Sequence, residues 1–379
     1  MINLNHLKAE KKLDHIVFLC RSPIDSGLAN IVQSVQMANA LSTFLPVTLN
    51  GYATNIQASE RRIEDILGFK PSFDLVLSRS FFSTRVLLVI LHFIFKSKDS
   101  KLLVTRSALV ALVLLMSRQR VLLEFHSDTL SSKSYIQKLL GVIYRTRMAK
   151  KIIKISISDA LSKRLKTKFE ISTDLVLHDA WNNKKYLKTR LGCNKDSKFL
   201  VVYTGKITLD RGINQIFQLA EKDKEAIFMI VGGSKAESRK LKDMVKIKNL
   251  SNVKIYSYQR SSRVKYLQER ANMLIAFWSK NVPTIEFCSP LKLFEYMATG
   301  NKVLIHDFPV FEEVLIESPL IELCKPGDHL SEYNAYKRLK KRAITPEDAE
   351  HLRVYSEEFS YDNRAKSLLG NVSVTTNTI

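Results

Sequence analysis

Twice along this chain, short runs rich in β-branched and aromatic residues alternate with helical patterns, and that repeat restricts the fold more than anything else. The first series of strand-like runs falls at 15–21, 46–52, 74–78, 102–105, 121–126, 152–158 and 174–177, with helical stretches such as 28–41, 81–95, 107–116 and 133–148 between them. Strand–helix alternation of this kind predicts a mostly parallel sheet covered on both faces. From 178 to 198 the pattern pauses in a polar, basic stretch holding Gly192. It then restarts at 199–204, 226–231, 253–258, 273–278, 302–305 and 320–323, with helical stretches at 235–248, 261–272 and 289–300. The expectation is an α/β protein with two Rossmann-like, doubly wound parallel-sheet domains facing each other across a cleft, the usual place for a ligand. The boundaries read as 1–180 for the first domain, 181–197 for a linker, 198–355 for the second domain, and 356–379 for a C-terminal helix crossing back to the first.

The longest uncharged apolar run, 86–95, is half of what a bilayer span needs. The run 16–20 is too short for a signal peptide. Cys20, Cys193, Cys288 and Cys324 are scattered without C-x-x-C spacing, which suits reduced thiols in a cytoplasmic setting. A formal net charge of +22 asks for a negative partner: nucleic acid, anionic lipid or a phosphorylated small molecule. The stretch 133–168 holds eleven basic residues and one acid, Asp159. Within it Arg145, Arg147, Lys150 and Lys151 are the candidates for an anionic membrane surface, held by electrostatics and released by salt. Nothing resembles a helix-turn-helix, zinc finger or aromatic-interleaved strand pair, so nucleic acid is not an expected partner.

The chemistry concentrates in the second half. Residues 289–300 predict a helix with Ser289 as N-cap, Pro290 at the first helical position and Gly300 closing it. Its first amides, through Leu291, would face an anion at the strands' carboxyl ends, and Glu295 in the second turn would reach a neighbouring sugar hydroxyl. The second domain opens with a strand and then Gly205-Lys206-Ile207-Thr208-Leu209-Asp210-Arg211-Gly212. That turn can hold two cations over one diphosphate, Arg211 in a bidentate grip. The next strand ends in Gly232-Gly233, where a ligand can approach the backbone.

In this order, Lys206, Arg211, Gly232, the helix start and Glu295-Tyr296-Met297-Ala298-Thr299-Gly300 resemble the donor domain of GT-B glycosyltransferases, specifically the retaining enzymes of glycosyltransferase family 4. The likeness runs on through Pro309-Val310-Phe311-Glu312-Glu313-Val314 and the segment 359–365. The first domain is similar to the acceptor half more loosely: Gly27 falls in the family's glycine-containing loop, and Glu124-Phe125-His126 matches its E-x-H. The resemblance implies Lys206 and Arg211 on the leaving diphosphate, Glu295 on the ribose and His126 against the sugar. It implies a nucleotide-sugar donor, UDP- or GDP-linked, and a glycan or lipid-linked acceptor of polysaccharide biosynthesis. It also implies metal-independent transfer with retention, on the inner face of the cell membrane. There is one departure: eight positions before Glu295, where the family has its first Glu, stands Phe287, with Glu286 beside it. No Asp-x-Asp pair occurs, so neither a divalent metal nor a cofactor is expected. Two other readings use the same residues less well: an epimerase or inverting transferase on this fold, and a nucleic-acid-binding protein resting on charge alone.

Overall fold

The computed structural model describes residues 13–24, 29–78, 100–116, 119–131, 133–182 and 198–374. They fall into two compact units, residues 1–178 with 361–379, and residues 179–360. Gly27 and the predicted helix at 81–95 lie outside the described residues, as does most of the predicted linker, 183–197.

In the first unit, strands β1 (His15–Pro23), β2 (Val47–Tyr52), β3 (Asp74–Ser78), β4 (Lys101–Thr105), β5 (Arg120–Phe125), β6 (Ile152–Ser156) and β7 (Leu175–Val176) form one sheet in the order β3-β2-β1-β4-β5-β6-β7. Each pairing is parallel. The central β4 is buried along its whole length and β5 nearly so. That is why they read as unbroken apolar runs and not as alternating ones. The covering helices are α1 (Ala29–Leu41), α2 (Ile56–Leu67), α3 (Ala108–Leu114), α4 (Ser134–Tyr144) and α5 (Asp159–Phe169).

The predicted helix over 133–148 is interrupted. α4 stops at Tyr144, Thr146 is extended, and a 3-10 turn follows over Arg147–Lys151. Thr146 Oγ1 donates to the Ile143 carbonyl at 2.7 Å, a local side-chain bond that competes with helix propagation.

The second unit repeats the plan with β8 (Leu200–Thr204), β9 (Ile227–Val231), β10 (Val253–Tyr256), β11 (Met273–Ala276), β12 (Lys302–His306) and β13 (Ile321–Cys324), in the order β10-β9-β8-β11-β12-β13, again all parallel. Its helices are α6 (Ile213–Lys222), α7 (Lys235–Ile247), α8 (Ser261–Arg270), α9 (Leu291–Met297), α10 (His329–Lys341) and α11 (Pro346–Ser356). Reciprocal capping boxes start α7 (Ser234 with Glu237) and α11 (Thr345 with Asp348). Residues 179–182 are already tied into this unit. Trp181 N–H donates to the Phe359 carbonyl at 2.9 Å, and its indole N–H to the Ser356 carbonyl at 2.6 Å. The last helix, α12 (Tyr361–Val374), belongs to the first unit and packs on α1.

Both strand orders reverse direction once, between β1 and β4 in the first unit and between β8 and β11 in the second. At such a point the connections leave to opposite faces of the sheet, opening a crevice at the strands' carboxyl ends.

Candidate functional site

In the second unit the crevice is built from backbone that side chains would fill. Gly205 ends β8 at φ +131° and Gly232 ends β9 at φ +143°, and a Cβ on Gly232 would sit 1.8 Å from the Gly205 carbonyl oxygen. Two chain turns therefore touch through glycine alone, and both keep their ladder bonds: Gly205 N–H to the Val231 carbonyl and Gly232 N–H to Tyr256. Lys206 follows on the exposed rim, and its carbonyl accepts from the Tyr203 hydroxyl at 2.5 Å. Arg211 closes a 3-10 turn. Its side chain is 24% exposed, its nearest acid is Asp210 at 3.9 Å, and its Nε is buried without a hydrogen-bond partner.

The predicted helix start differs from what the motif suggests. Ser289 is not the N-cap and Pro290 is not the first helical residue. α9 begins at Leu291, and Pro290 occupies the cap at φ −86°, ψ 77°, with no side-chain cap bond. The cause is a tertiary contact: Ser289 Oγ is already taken by the Asp179 backbone N–H at 2.7 Å. The helix is only seven residues long, and its first amides are largely engaged. Leu291 N–H donates to the Ser289 carbonyl, while Leu293 and Phe294 donate to Pro290. An anion here would have to be held by side chains.

One of those side chains went unassigned in the motif. Lys292 Nζ lies 3.8 Å from the centre of the Tyr203 ring and 5.3 Å from that of Trp278. A Cβ on Gly205 would come within 3.3 Å of the same nitrogen. Burial first, and Arg211 second, hold this lysine well below its ordinary range, with Glu295 opposing them. A sequence signal was present: Lys292 is the one cation in an otherwise apolar helix start and lies three residues before Glu295, on the same helix face.

Glu295 accepts from Gln268 Nε2 at 3.2 Å, and Gln268 also donates to Thr204 Oγ1 at 3.0 Å. Burial pushes the Glu295 carboxyl up, against the pull of Gln268 and Lys292. Trp278 is fixed from behind by buried His306, whose Nδ1 lies 2.8 Å from its carbonyl and whose Nε2 lies 3.0 Å from Glu332. Cys288, nearby, has its thiol pushed up to about 12 by burial. At the departure, Phe287 is 3% exposed and part of the core, whereas Glu286 is exposed. The residue that replaces a carboxylate in the motif thus points into the protein.

In the first unit, the crevice between β1 and β4 opens into a cavity of about 410 Å3, within the range of small-ligand sites. Its lining mixes Phe18, Ile31 and Val104 with the polar Asn30, Ser34 and Arg106. Below it, Glu124 (5% exposed) pairs with Arg106 at 2.8 Å and Arg364 at 3.2 Å and contacts His126 Nε2. Burial alone would raise the Glu124 carboxyl; Arg364, Arg106 and His126 together outweigh it and hold it well below the carboxylate range. His126 is therefore oriented by a carboxylate whose charge is already shared with two guanidinium groups, a poor arrangement for a cation. Arg145, Arg147, Lys150 and Lys151 all lie exposed at the end of α4 and its 3-10 turn, Arg145 within 3.2 Å of Glu170.

Residues 188–347 match the family described as Glycosyl transferases group 1. Among curated proteins none matches in sequence. Among solved structures, a glycosyltransferase from Rickettsia africae superposes with a TM-score of 0.70 at 13% identity, covering 97% of this chain and 100% of that one. HepE from Anabaena, in complex with UDP, gives 0.68 at 15% identity over 95% and 100%. The lipopolysaccharide outer core galactosyltransferase WaaB gives 0.64 at 14% over 95% and 99%. At these identities the likeness speaks for the fold. The chain thus has the GT-B fold in two units, and residues 188–347 of it match a glycosyl transferases group 1 domain.

Proposed function

We propose that the protein is a retaining, metal-independent glycosyltransferase that moves a sugar from a UDP- or GDP-sugar to a glycan or lipid-linked acceptor, working at the inner face of the cell membrane. The observation that carries this reading is the glycine-built crevice at the β8/β11 switch point, with Lys206 and Arg211 on its turn. Arg211 Nε has no hydrogen-bond partner among the described residues, and a buried donor left unmade costs roughly 1–3 kcal/mol. A diphosphate oxygen would satisfy it. HepE, which shares this fold, was solved with UDP and with UDP-glucose.

In the mechanism proposed, Lys206 and Arg211 hold the negative charge that grows on the diphosphate as the glycosidic C–O bond breaks. That charge stabilisation lowers the barrier, because it is stronger in the transition state than in the bound donor. The departing diphosphate takes the proton of the acceptor hydroxyl on the face it leaves, so the anomeric configuration is kept. Cationic side chains supply the charge that a divalent ion supplies elsewhere, and the reading therefore expects no metal. Glu295, backed by Gln268, is read as the acceptor for a ribose hydroxyl. The cavity beside Glu124 and His126 is read as the place for the acceptor's sugar. Phe287 in the core leaves the donor sugar without the family's first carboxylate, and Glu286 is its nearest substitute.

The exposed cations at the end of α4 are read as the membrane face. Among the described residues no helix is long and apolar enough to cross a bilayer, so docking on the surface is what the reading requires.

The test is thermal stabilisation by UDP-, GDP- and ADP-sugars, since a ligand that binds only the folded state raises its apparent stability. Arg211→Ala should weaken the responding nucleotide ~10–100-fold; unchanged affinity would remove the donor assignment. NMR of the glycosylated product decides retention, and turnover that stops with EDTA and returns with magnesium would remove metal independence.

A further inference from the structure

Arg211 sits on a turn that is seated from behind. β11 ends at Ala276, and the three residues after it touch that turn on both sides of Arg211. The Ser279 N–H donates to the Asp210 carbonyl at 2.8 Å, and a Cβ on Gly212 would fall 2.2 Å from Phe277 Cβ. Trp278 lies between these two contacts, its ring centre 5.3 Å from Lys292 Nζ. Its main chain is met by one side chain, that of His306 at the end of β12. Nδ1 lies 2.8 Å from the Trp278 carbonyl oxygen and 3.2 Å from the Trp278 nitrogen. The imidazole also stacks on Phe277, with ring centres 4.1 Å apart and planes 10° from parallel. The other ring nitrogen is held too: Nε2 lies 3.0 Å from Glu332 Oε1 on α10, and that oxygen accepts from the Gly327 N–H at 3.0 Å. Both His306 and Glu332 are buried. Well-packed apolar residues often serve stability as well as a buried polar pair does. Placement against Trp278 gives this pair a use that stability does not require.

We infer that His306 is a positioning residue for the donor's diphosphate: it fixes the segment 277–279, and that segment sets where Arg211 stands. This rests on the donor reading given above and names what holds its grip in place. Glu332 anchors the imidazole from α10, so the support runs from α10 through His306 and Trp278 to the turn. The diphosphate itself touches none of these supporting groups. Their contribution is accuracy, since a misplacement of about 1 Å can cost on the order of 100-fold in rate. His306 suits the task because its two nitrogens face different elements at once, one the main chain after β11 and the other α10.

The two ring nitrogens can be removed one at a time. Asparagine carries its amide at the place of Nδ1 and glutamine at the place of Nε2. His306→Asn therefore keeps the reach to Trp278, and His306→Gln keeps the reach to Glu332. The full chain is titrated calorimetrically with UDP-, GDP- and ADP-glucose, and the sugar that binds is carried through the variants, each checked for its melting temperature. His306→Asn should bind within a few-fold of wild type, whatever it loses in stability. His306→Gln should lose affinity by up to the ~10–100-fold that loss of the Arg211 contact costs. A double-mutant cycle with Arg211→Ala separates positioning from plain destabilisation. If His306 acts through Arg211, His306→Gln adds no loss once residue 211 is alanine. Should His306→Gln not fold, His306→Leu with Glu332→Gln removes the same Trp278 contact without leaving a buried charge, and takes its place in the cycle. Full affinity without the Trp278 contact, equal loss in His306→Asn, or additive losses in the cycle would each overturn the inference. If Arg211→Ala binds weakly while the His306 variants bind normally, only the role of His306 falls. If Arg211→Ala binds normally, or none of the three sugars binds, the donor reading falls first.

Discussion

The helix α4 carries the prediction that most changes what the charge alone suggests. Tyr135, Leu139 and Val142 repeat at helical spacing on one face and are 68%, 58% and 59% exposed. Met148, on the turn that follows, is 56% exposed. Lys133, Lys138, Arg145, Arg147, Lys150 and Lys151, all exposed, surround them. An apolar stripe within a basic rim is the pattern of a helix lying in the headgroup region of an anionic leaflet. Leu139 and Val142 each present roughly 80 Å2 of apolar surface, worth about 2 kcal/mol if it leaves water. Their removal should therefore lower partitioning by ~100–1,000-fold at most. At ~0.5 M salt, screening acts within a few ångströms, so the cations contribute little and the apolar part is isolated. The assay is co-sedimentation with phosphatidylglycerol vesicles at low salt and at 0.5 M. Wild type should be released only partly by salt, not completely as a basic patch alone would be. Leu139→Ser with Val142→Ser should remove the salt-resistant fraction. Glu at 145, 147, 150 and 151 should remove the low-salt gain. All of these side chains are exposed, so the fold is not at stake. Complete release of wild type by salt, or salt-resistant binding by the serine pair, would refute the apolar contribution.

Two further substitutions test the crevices themselves. Gly232→Ala places a Cβ against the Gly205 carbonyl in a backbone region that only glycine adopts freely. Nucleotide-sugar binding should be lost while Arg364-dependent packing in the first unit is kept; retained binding, read by thermal shift, would mean that the two turns do not form the site. Glu124→Gln removes a carboxylate whose folded-state proton affinity is depressed. Its stabilisation is present above the unfolded carboxylate pKa of about 4.3 and is lost as pH falls through the folded value. The variant should cost roughly 3–5 kcal/mol at pH 7, because Arg106 and Arg364 lose their shared carboxylate. In urea unfolding from pH 5 to 2.5, across that window, it should lose less further stability than wild type; equal acid slopes would show that Glu124 is not the linked group.

How much of this was legible beforehand divides along physical lines. The thirteen strands among the described residues lie where β-branched runs occur; the central ones, buried on both faces, leave an uninterrupted apolar signature. Lys206 and Gly232 follow from the same signal, since each sits within two residues of a strand end that the sequence marks, whereas Arg211 closes the 3-10 turn further on. The start of α9 was not legible. Ser289 and Pro290 satisfy every local rule for a helix N-terminus, and the rule failed because a residue 110 positions away claimed the serine hydroxyl. Propensity rules weigh neighbours in sequence and are overruled by partners in space. Lys292 was missed for the converse reason. Its position was correct, but a lysine on a short helix reads as a solvated charge until the rings of Tyr203 and Trp278 are placed around it.

The same contrast bears on what this crevice can do. In the reading proposed, a carboxylate beside the crevice would lower its local positive charge. Phe287 instead packs in the core at 3% exposure, and the charge left around the turn is that of Lys206, Arg211 and Lys292 against Asp210 and Glu295. Two of these cations lie within reach of aromatic or buried surroundings that weaken hydration, so their attraction for a diphosphate exceeds that of exposed lysines. The excess has a cost when the crevice is empty, because like charges at close range destabilise the fold that holds them. That cost is reduced by Asp210, whose carboxylate lies 3.9 Å from Arg211 Nε, and by the ring faces of Tyr203 and Trp278, which attract the Lys292 ammonium.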